Sequence, residues 1–423
     1  MSTALLTDRY ELTMVQAALK SGKASTPCVF ETFARKLPSG RRFGVVAGTG
    51  RLIEALAEFR FSEHELEFLA SNKVVDQLTL DFLANFKFSG DISGYREGEL
   101  YFSNSPILTV EASFAEGVLI ETLLLSILNY DSAVASAAAR MRIAATDRYL
   151  AEMGARRANE SAAVAAARAA YIAGFDATSN LEAHRSYGIP SMGTSAHSFT
   201  LLYGTEQEAF KAQLASMGTG TTLLVDTYDI DAAVRSAVEL SNGEIAAVRI
   251  DSGDLSSTAL RVRALLDELG ATKTKIVVTS DLDEYTIAAL QAAPVDRYGV
   301  GTSLVTGSSH PTAGFVYKLV AHEAESGWVS VEKLSKNKAS KGGKKLATRA
   351  LVDGVATLEQ VGSPTDGRAL QIPLLLQGQP VDSSSQQELV QRAREHHKAV
   401  MTELPETGRR LSQGEPVVPT LFS

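Results

Sequence analysis

The chain has 423 residues, 45% hydrophobic and 21% charged, an ordinary globular balance with room for two domains or for a barrel with additions. A formal net charge of -8 argues against a general nucleic-acid or membrane-surface binder, so any phosphate site has to be local. The single cysteine, Cys28, excludes an intrachain disulfide framework and a cysteine-based zinc site, and suits a reducing cytoplasm. The first residues lack the basic-then-apolar pattern of a signal peptide, and no uncharged stretch reaches the roughly 18 apolar residues of a membrane span.

In chain order, Thr7 is a candidate cap for a helix that buries Leu12, Val15 and Leu19 and stops at Ser21-Gly22. Cys28 to Phe33 alternates as a strand and runs into the basic Arg35-Lys36. Short helices are expected over 50–59, 62–71 and 74–86. Short strands then follow at 92–95, 99–102 and 107–111, a small β unit carried on the N-terminal region. Two helices are expected next, over 115–130 and, Ala-rich, over 132–152.

From about residue 149 the rhythm becomes strand, loop, helix. Helices are expected over 162–174 and 181–187, with a loop at 177–180 between them. Met192 to Ala196 reads as a strand end that carries His197 into a loop, and a helix follows over 206–216. Apolar strands then run at 222–226, 246–251, 275–281 and 297–302, with helices over 229–240, 256–269 and 283–292. Apolar strands at regular spacing, separated by helices, mean parallel βα units whose sheet is covered on both faces. A complete or truncated barrel fits, with functional residues at the carboxyl ends of its strands. Past Lys318 the rhythm is lost. Lys333 to Arg349 is basic and of flexible composition, a helix is expected over 384–403, and the tail is rich in Pro and Gly.

Several loops should converge at those strand ends. They offer Arg156 and Arg157, then His197, Asp226, Arg249, Asp251, Asp254 and Asp281. A Gly299-Val300-Gly301-Thr302-Ser303 turn follows the last strand. Taken singly, Asp254 and Asp283 suit helix N-caps, and His197 suits a local hydrogen bond. Taken together, carboxylates suit a divalent cation and ribose hydroxyls, while arginines and backbone amides suit phosphates. The residues by themselves describe a site for a phosphorylated sugar with Mg²⁺, with His197 as a nucleophile or proton-transfer group. A barrel aldolase or hydrolase is the alternative, but no Schiff-base lysine or multi-histidine metal set is apparent.

Seven motifs carry a further reading: Leu6-Thr7-Asp8-Arg9-Tyr10-Glu11-Leu12-Thr13-Met14, Gly154-Ala155-Arg156-Arg157-Ala158, Gly174-Phe175-Asp176-Ala177-Thr178-Ser179-Asn180, Gly193-Thr194-Ser195-Ala196-His197-Ser198-Phe199, Val248-Arg249-Ile250-Asp251-Ser252-Gly253-Asp254, Gly299-Val300-Gly301-Thr302 and Val316-Tyr317-Lys318-Leu319-Val320. In this order the chain resembles the nicotinate phosphoribosyltransferases. The resemblance implies an α/β chain in three parts. These are an N-terminal α+β domain over 1–130, a truncated or irregular α/β barrel over 131–320, and a segment over 321–423 packing back on the first.

The resemblance also implies the activity, the first step of NAD salvage from nicotinic acid. Nicotinate and phosphoribosyl pyrophosphate would give nicotinate mononucleotide and pyrophosphate, coupled to ATP hydrolysis. His197 matches the histidine phosphorylated from ATP. Asp251 and Asp281 match acids near the ribose and its Mg²⁺. Arg249 and Ser179 match positions beside the pyridine ring and its carboxylate, with Arg156 and Ser252 in the same motifs. Nicotinamide-using relatives carry an Asp where this chain has Ser179, and a neutral serine removes like-charge repulsion against nicotinate. Gly301 and Thr302 match a 5′-phosphate cradle. Tyr10 and Arg35 match residues that reach the site from a neighbouring subunit, which implies a homodimer. Met153 stands where many relatives place an aromatic residue, and His310 where some carry a basic phosphate contact. Ser195 and Ser198 become hydrogen-bond partners of the histidine loop, and Lys333–Arg349 a candidate lid.

Overall fold

The computed structural model describes residues 2–333, 341–363 and 366–422. It divides into two compact units, one formed by Met1–Ser136 with His310–Ser423 and the other by Ala137–Ser309.

The first unit is built on a seven-stranded sheet. Its order is Gly327–Ser330, Phe315–Ala324, Pro27–Ala34, Leu108–Ser113, Asp91–Tyr95, Gln371–Leu376 and Gln379–Pro380. All its pairings are antiparallel, so strands from both ends of the chain interleave. The helix Arg9–Lys20 lays Leu12 and Val15 into the same apolar core as Phe30, Val110 and Tyr317. Phe59, Phe61 and Phe86 meet edge to face there, the preferred arrangement of ring quadrupoles.

A four-stranded sheet in this unit contains Leu346–Val352 and Val355–Gly362. Its strand Leu346–Val352 takes in the last four residues of the expected basic loop Lys333–Arg349. Residues 334–340 lie outside the described residues, but Arg349 is fully buried in a strand. Its guanidinium pairs with Glu99 at 2.6 Å and Glu359 at 2.7 Å. Arg368 and His396 also close on Glu99, at 2.8 and 3.0 Å. Burial alone would raise the Glu99 carboxyl, but the hydrogen bonds of His396 and Arg368 and the charge of Arg349 hold it well below the ordinary carboxylate range. Lys344 and Lys345 are likewise paired, with Glu111 and Glu31. Composition suggested mobility because buried ion pairs leave no hydropathy signature.

The second unit is an open, parallel six-stranded sheet, an irregular and truncated barrel as expected. The order is Ala177–Thr178, Tyr149–Glu152, Arg297–Val300, Lys275–Val278, Ala247–Ile250, Thr222–Leu224. Every adjacent pair is parallel. Leu150, Leu223, Val248, Ile276, Tyr298 and Val300 are fully buried, the two-faced burial that such strands require. Helices cover the strands, and their starts are fixed by carboxylates. Asp229, Asp254 and Asp283 each accept backbone N–H bonds from the first turn that follows.

Three local expectations fail here. The Ala-rich helix ends at Ala145 rather than continuing to Glu152, because Thr146 takes a left-handed φ of 55° and Tyr149–Glu152 joins the sheet. The expected loop at 177–180 supplies an edge strand, Ala177–Thr178. Met192 to Ala196 is not a strand. The one bridge nearby, Thr178 to Ser191, lies just before the segment, and His197 opens the short helix His197–Leu202.

Candidate active site

The carboxyl ends of the strands bring most of the expected residues together. Arg249, on the strand Ala247–Ile250, is the centre of the network. Its Nε donates to Thr279 Oγ1 at 3.0 Å, and its Nη1 donates to Thr194 Oγ1 at 2.7 Å and to the Ser195 carbonyl at 3.2 Å. Its Nη2 lies 3.3 Å from Asp251 Oδ1, and the Thr279 hydroxyl donates to the same carboxylate. Asp226 sits just past the strand Thr222–Leu224, its side chain 1% exposed. Its Oδ2 accepts from the Asp251 backbone N–H at 2.9 Å and from the Ser252 hydroxyl at 2.6 Å. Its Oδ1 is buried with no hydrogen-bond partner.

His197 closes this set. Its Nε2 is 3.8 Å from both Asp226 Oδ1 and Asp251 Oδ2, beyond hydrogen-bond reach but close enough for attraction when the ring is charged. Its Nδ1 lies 3.1 Å from Thr227 Oγ1, and the side chain is 40% exposed. One ring nitrogen therefore faces acid and the other a neutral hydroxyl, with room for a substrate.

A cleft beside this network is lined by Met153, Arg156, Arg157, Arg249, Asp251, Thr279, Ser280, Asp281, Gly299, Gly301 and Thr302. Arg156 and Arg157 are exposed, and their side chains have no hydrogen-bond or ion-pair partner among the described residues. Gly299 is required by close packing: a Cβ there would come within 2.6 Å of Met153 Sδ and of Thr279 Cγ2. Met153 thus lays a flexible sulfur against the strand at Gly299. Ser280, between Thr279 and Asp281, holds a φ of 137°, a strained setting for a non-glycine residue at the cleft wall.

Ser179 is exposed just past the neighbouring strand end, its N–H donating to the Glu152 carbonyl at 2.8 Å. Asp254, one of the candidates, caps the helix Leu255–Glu268 through Ser256 and Ser257 and does not line the cleft. The Ser195 main chain binds Arg249, so its hydroxyl is not what the loop uses. Tyr10, Arg35 and His310 belong to the first unit. Tyr10 is 46% exposed, and burial together with the nearby Glu121, Glu11 and Asp8 pushes its hydroxyl up to about 12. Arg35 Nε is buried without a hydrogen-bond partner.

Several residues of this network and its surroundings escaped the sequence reading. Thr194, Thr227 and Thr279 carry the hydrogen bonds around Arg249, Asp251 and His197; their signal was only a hydroxyl residue at or just beyond a strand end. Glu152 was hidden in an expected helix. It is buried, accepts from Thr178 Oγ1 at 2.6 Å and from the Gly154 N–H, and so ties the Arg156 turn to the Ser179 segment. Burial raises its carboxyl, partly offset by those two bonds. Glu206, which opens the helix Glu206–Met217, has Oε1 buried without a hydrogen-bond partner, and burial, with the charges of Asp226 and Asp229, pushes its carboxyl up to about 7.

Among the described residues no group of three or more His, Cys, Asp or Glu is placed to hold a metal ion by itself. No described helix is long and apolar enough to cross a membrane.

A partial barrel of parallel strands, with acids, an exposed histidine and uncommitted arginines at their carboxyl ends, defines an α/β enzyme that takes an anionic substrate. Comparison with known proteins narrows the class. Residues 5–129 match the nicotinate phosphoribosyltransferase N-terminal domain and residues 149–362 the nicotinate phosphoribosyltransferase family. The chain belongs to that family. It is 54% identical to nicotinate phosphoribosyltransferase pncB1 of Mycobacterium tuberculosis, over 98% of this chain and 94% of that protein. It is 39% identical to nicotinate phosphoribosyltransferase of Bacillus subtilis, over 79% of this chain and 70% of that one. The fold is similar to the crystal structure of human nicotinic acid phosphoribosyltransferase, with a TM-score of 0.83 and 26% identity, covering 98% of this chain and 97% of that one.

Proposed function

We propose that this chain is a nicotinate phosphoribosyltransferase that joins nicotinate to the phosphoribosyl group of phosphoribosyl pyrophosphate, releasing pyrophosphate, and couples the step to ATP through His197. The observation that carries the reading is the gathering of Asp226, Asp251 and Arg249 at one set of strand ends, with His197 of the following helix against them and two unpaired arginines in the same cleft as Asp251 and Arg249.

The chemistry follows from the two faces of the imidazole. With Nε2 toward Asp226 and Asp251, the favoured neutral tautomer carries its proton there, stabilised by both acids. The Nδ1 lone pair, beside the neutral Thr227 hydroxyl, is then the nucleophile toward the γ-phosphorus of ATP. ADP leaves, and the phosphate on His197 adds negative charge at the mouth of the cleft.

Arg156 and Arg157 have free donors for a diphosphate, and the amides around Gly301 and Thr302 suit the 5′-phosphate. Asp251 and Asp281 offer two carboxylates to Mg²⁺. That is too few for a cage made by protein alone, and it fits an ion that arrives on a diphosphate and keeps waters. Bound there, Mg²⁺ would screen charge on the departing pyrophosphate. Arg249, fixed by Thr194 and Thr279, and the neutral Ser179 suit a pyridine carboxylate. Tyr10 and Arg35 would serve the site of a second copy in a homodimer.

An assay of nicotinate against nicotinamide, with phosphoribosyl pyrophosphate and with or without ATP, tests the reading. Nicotinate turnover stimulated by ATP is expected. Preference for nicotinamide would overturn the base assignment. Acid-labile label from γ-labelled ATP should appear on the wild type and be lost in His197→Ala; equal labelling of both would refute the histidine's role.

A further inference from the structure

Glu152 ends the strand Tyr149–Glu152 fully buried, and no cation pairs with it among the described residues. Burying a carboxyl group without a cation is costly, so its presence asks for a reason beyond packing. Its donors supply one. Oε2 accepts the Thr178 hydroxyl at 2.6 Å, Oε1 accepts the Gly154 N–H, and the main-chain carbonyl accepts the Ser179 N–H at 2.8 Å. The Thr178 oxygen in turn accepts the Asn180 N–H at 2.9 Å, and Asn180 caps the helix Leu181–Tyr187 through the Ala183 N–H at 3.0 Å. Thr178, Ser179 and Asn180 are thus all held from Glu152. On the other side, the Gly154 carbonyl accepts the Arg157 N–H at 2.8 Å. Gly154 has no room for a side chain: a Cβ there would run into Val305 and lie 3.1 Å from the Gly301 carbonyl oxygen. The turn that carries Arg156 and Arg157 is therefore pressed against the Gly301 turn.

We propose that Glu152 is a positioning residue that sets the base end of the cleft against its phosphate end, one carboxylate oxygen holding the Ser179 segment and the other the Arg156 turn. A carboxylate suits this task because it accepts on both oxygens. An amide accepts on one only. Its NH2 would face either the Gly154 N–H, donor against donor, or the Thr178 hydroxyl, whose own proton would then lose its acceptor. A reaction that joins two substrates needs both ends in register, and small misplacements of positioning groups are expensive there. The inference rests on the base carboxylate lying at Ser179 and the diphosphate at Arg156 and Arg157, and its test keeps the two ideas apart.

Steady-state kinetics of the full chain, with each substrate varied in turn, supplies that test. Thr178→Val removes the hydroxyl and leaves the Gly154 arm intact. It should raise the KM for nicotinate about tenfold, the order of one lost hydrogen bond, and leave the KM for phosphoribosyl pyrophosphate within about twofold. Thr178→Ser keeps the hydroxyl and should match the wild type for both substrates. Glu152→Ala releases both arms and should raise both KM values; where it fails to fold, the two Thr178 variants decide. An equal rise of both KM values in Thr178→Val, or a fall in kcat with both unchanged, is what general loosening gives and overturns the proposal. So does a Thr178→Ser enzyme as impaired as Thr178→Val. Ser179→Asp, read by competition between nicotinate and nicotinamide, addresses the base assignment alone. If it shifts the preference while Thr178→Val leaves the KM for nicotinate unchanged, the role of Glu152 is refuted and the base assignment stands. If Thr178→Val gives the split and Ser179→Asp leaves the preference unchanged, the role of Glu152 stands and the assignment of Ser179 falls.

Discussion

At the amino ends of the six parallel strands Arg148, Arg263, Lys275 and Arg297 line a cleft, as Arg156, Arg157 and Arg249 do at the carboxyl ends. The two clefts differ in what their charges are doing. Arg148 donates to the Leu290 carbonyl at 3.0 Å, the Gln291 carbonyl at 2.7 Å and the Tyr298 hydroxyl at 2.7 Å. Arg263 donates to the carbonyls of Thr274 and Ala271 and pairs with Asp267. Lys275 pairs with Asp296, and Arg297 lies over the Tyr149 ring. Those cations close the loops that start the strands. At the other end Arg249 is fixed, Arg156 and Arg157 are left uncommitted, and one oxygen of Asp226 is left unsatisfied. Basic residues in a hollow do not mark a binding site; donors and acceptors with unused capacity do.

That contrast can be broken at either end. The largest effect belongs to Asp251→Asn, which keeps shape and removes charge. We expect kcat/KM to fall about 10³-fold with little change in melting temperature, as for loss of a group that acts on developing charge. Activity within tenfold of wild type would erase the distinction between the two ends. Ser179→Asp places a second negative charge where the base carboxylate is proposed to sit. It should lower kcat/KM for nicotinate about 10- to 100-fold and leave nicotinamide turnover unaffected, measured by competition between the bases. Arg148→Ala should do the opposite of Asp251→Asn. It strands three buried or half-buried acceptors, costs about 1–3 kcal/mol in denaturant unfolding, and leaves kcat unchanged at 25 °C. Smallest is Lys275→Ala. Its partner Asp296 is about a third exposed and water can replace the ammonium, so a loss under about 1 kcal/mol, shrinking with added salt, is the expected result.

The sheet's own periodicity made the carboxyl end legible. Apolar runs ending in Asp226, Asp251 and Asp281 needed no tertiary information to be placed on one side, because parallel strands with helical crossovers all end on the same face. The strand Tyr149–Glu152 was lost for a local reason: Tyr-Leu-Ala-Glu follows an Ala-rich run, and only the backbone reversal at Thr146 separates them. His197 was placed at a strand end and lies instead at a helix start, a change that turns Nδ1 toward Thr227. The threonines around Arg249 were illegible because a hydroxyl near a strand end is common and its partner is set by the sheet. Asp254 shows the reverse: its simplest local reading, a helix cap, is the one the structure adopts.

The first unit carries a consequence for biosynthesis. Glu99 is made early, and its counter-charges Arg349, Arg368 and His396 are some 250 to 300 residues behind it on the chain. Until they emerge from the ribosome, that carboxylate cannot be desolvated without an uncompensated charge, and the strand Pro27–Ala34 lacks its neighbour Phe315–Ala324. The central segment, Ala137–Ser309, has no such debt, since its sheet is continuous in sequence. The unit that holds both the first and the last residues to be translated is therefore expected to finish folding after the segment inserted within it has closed.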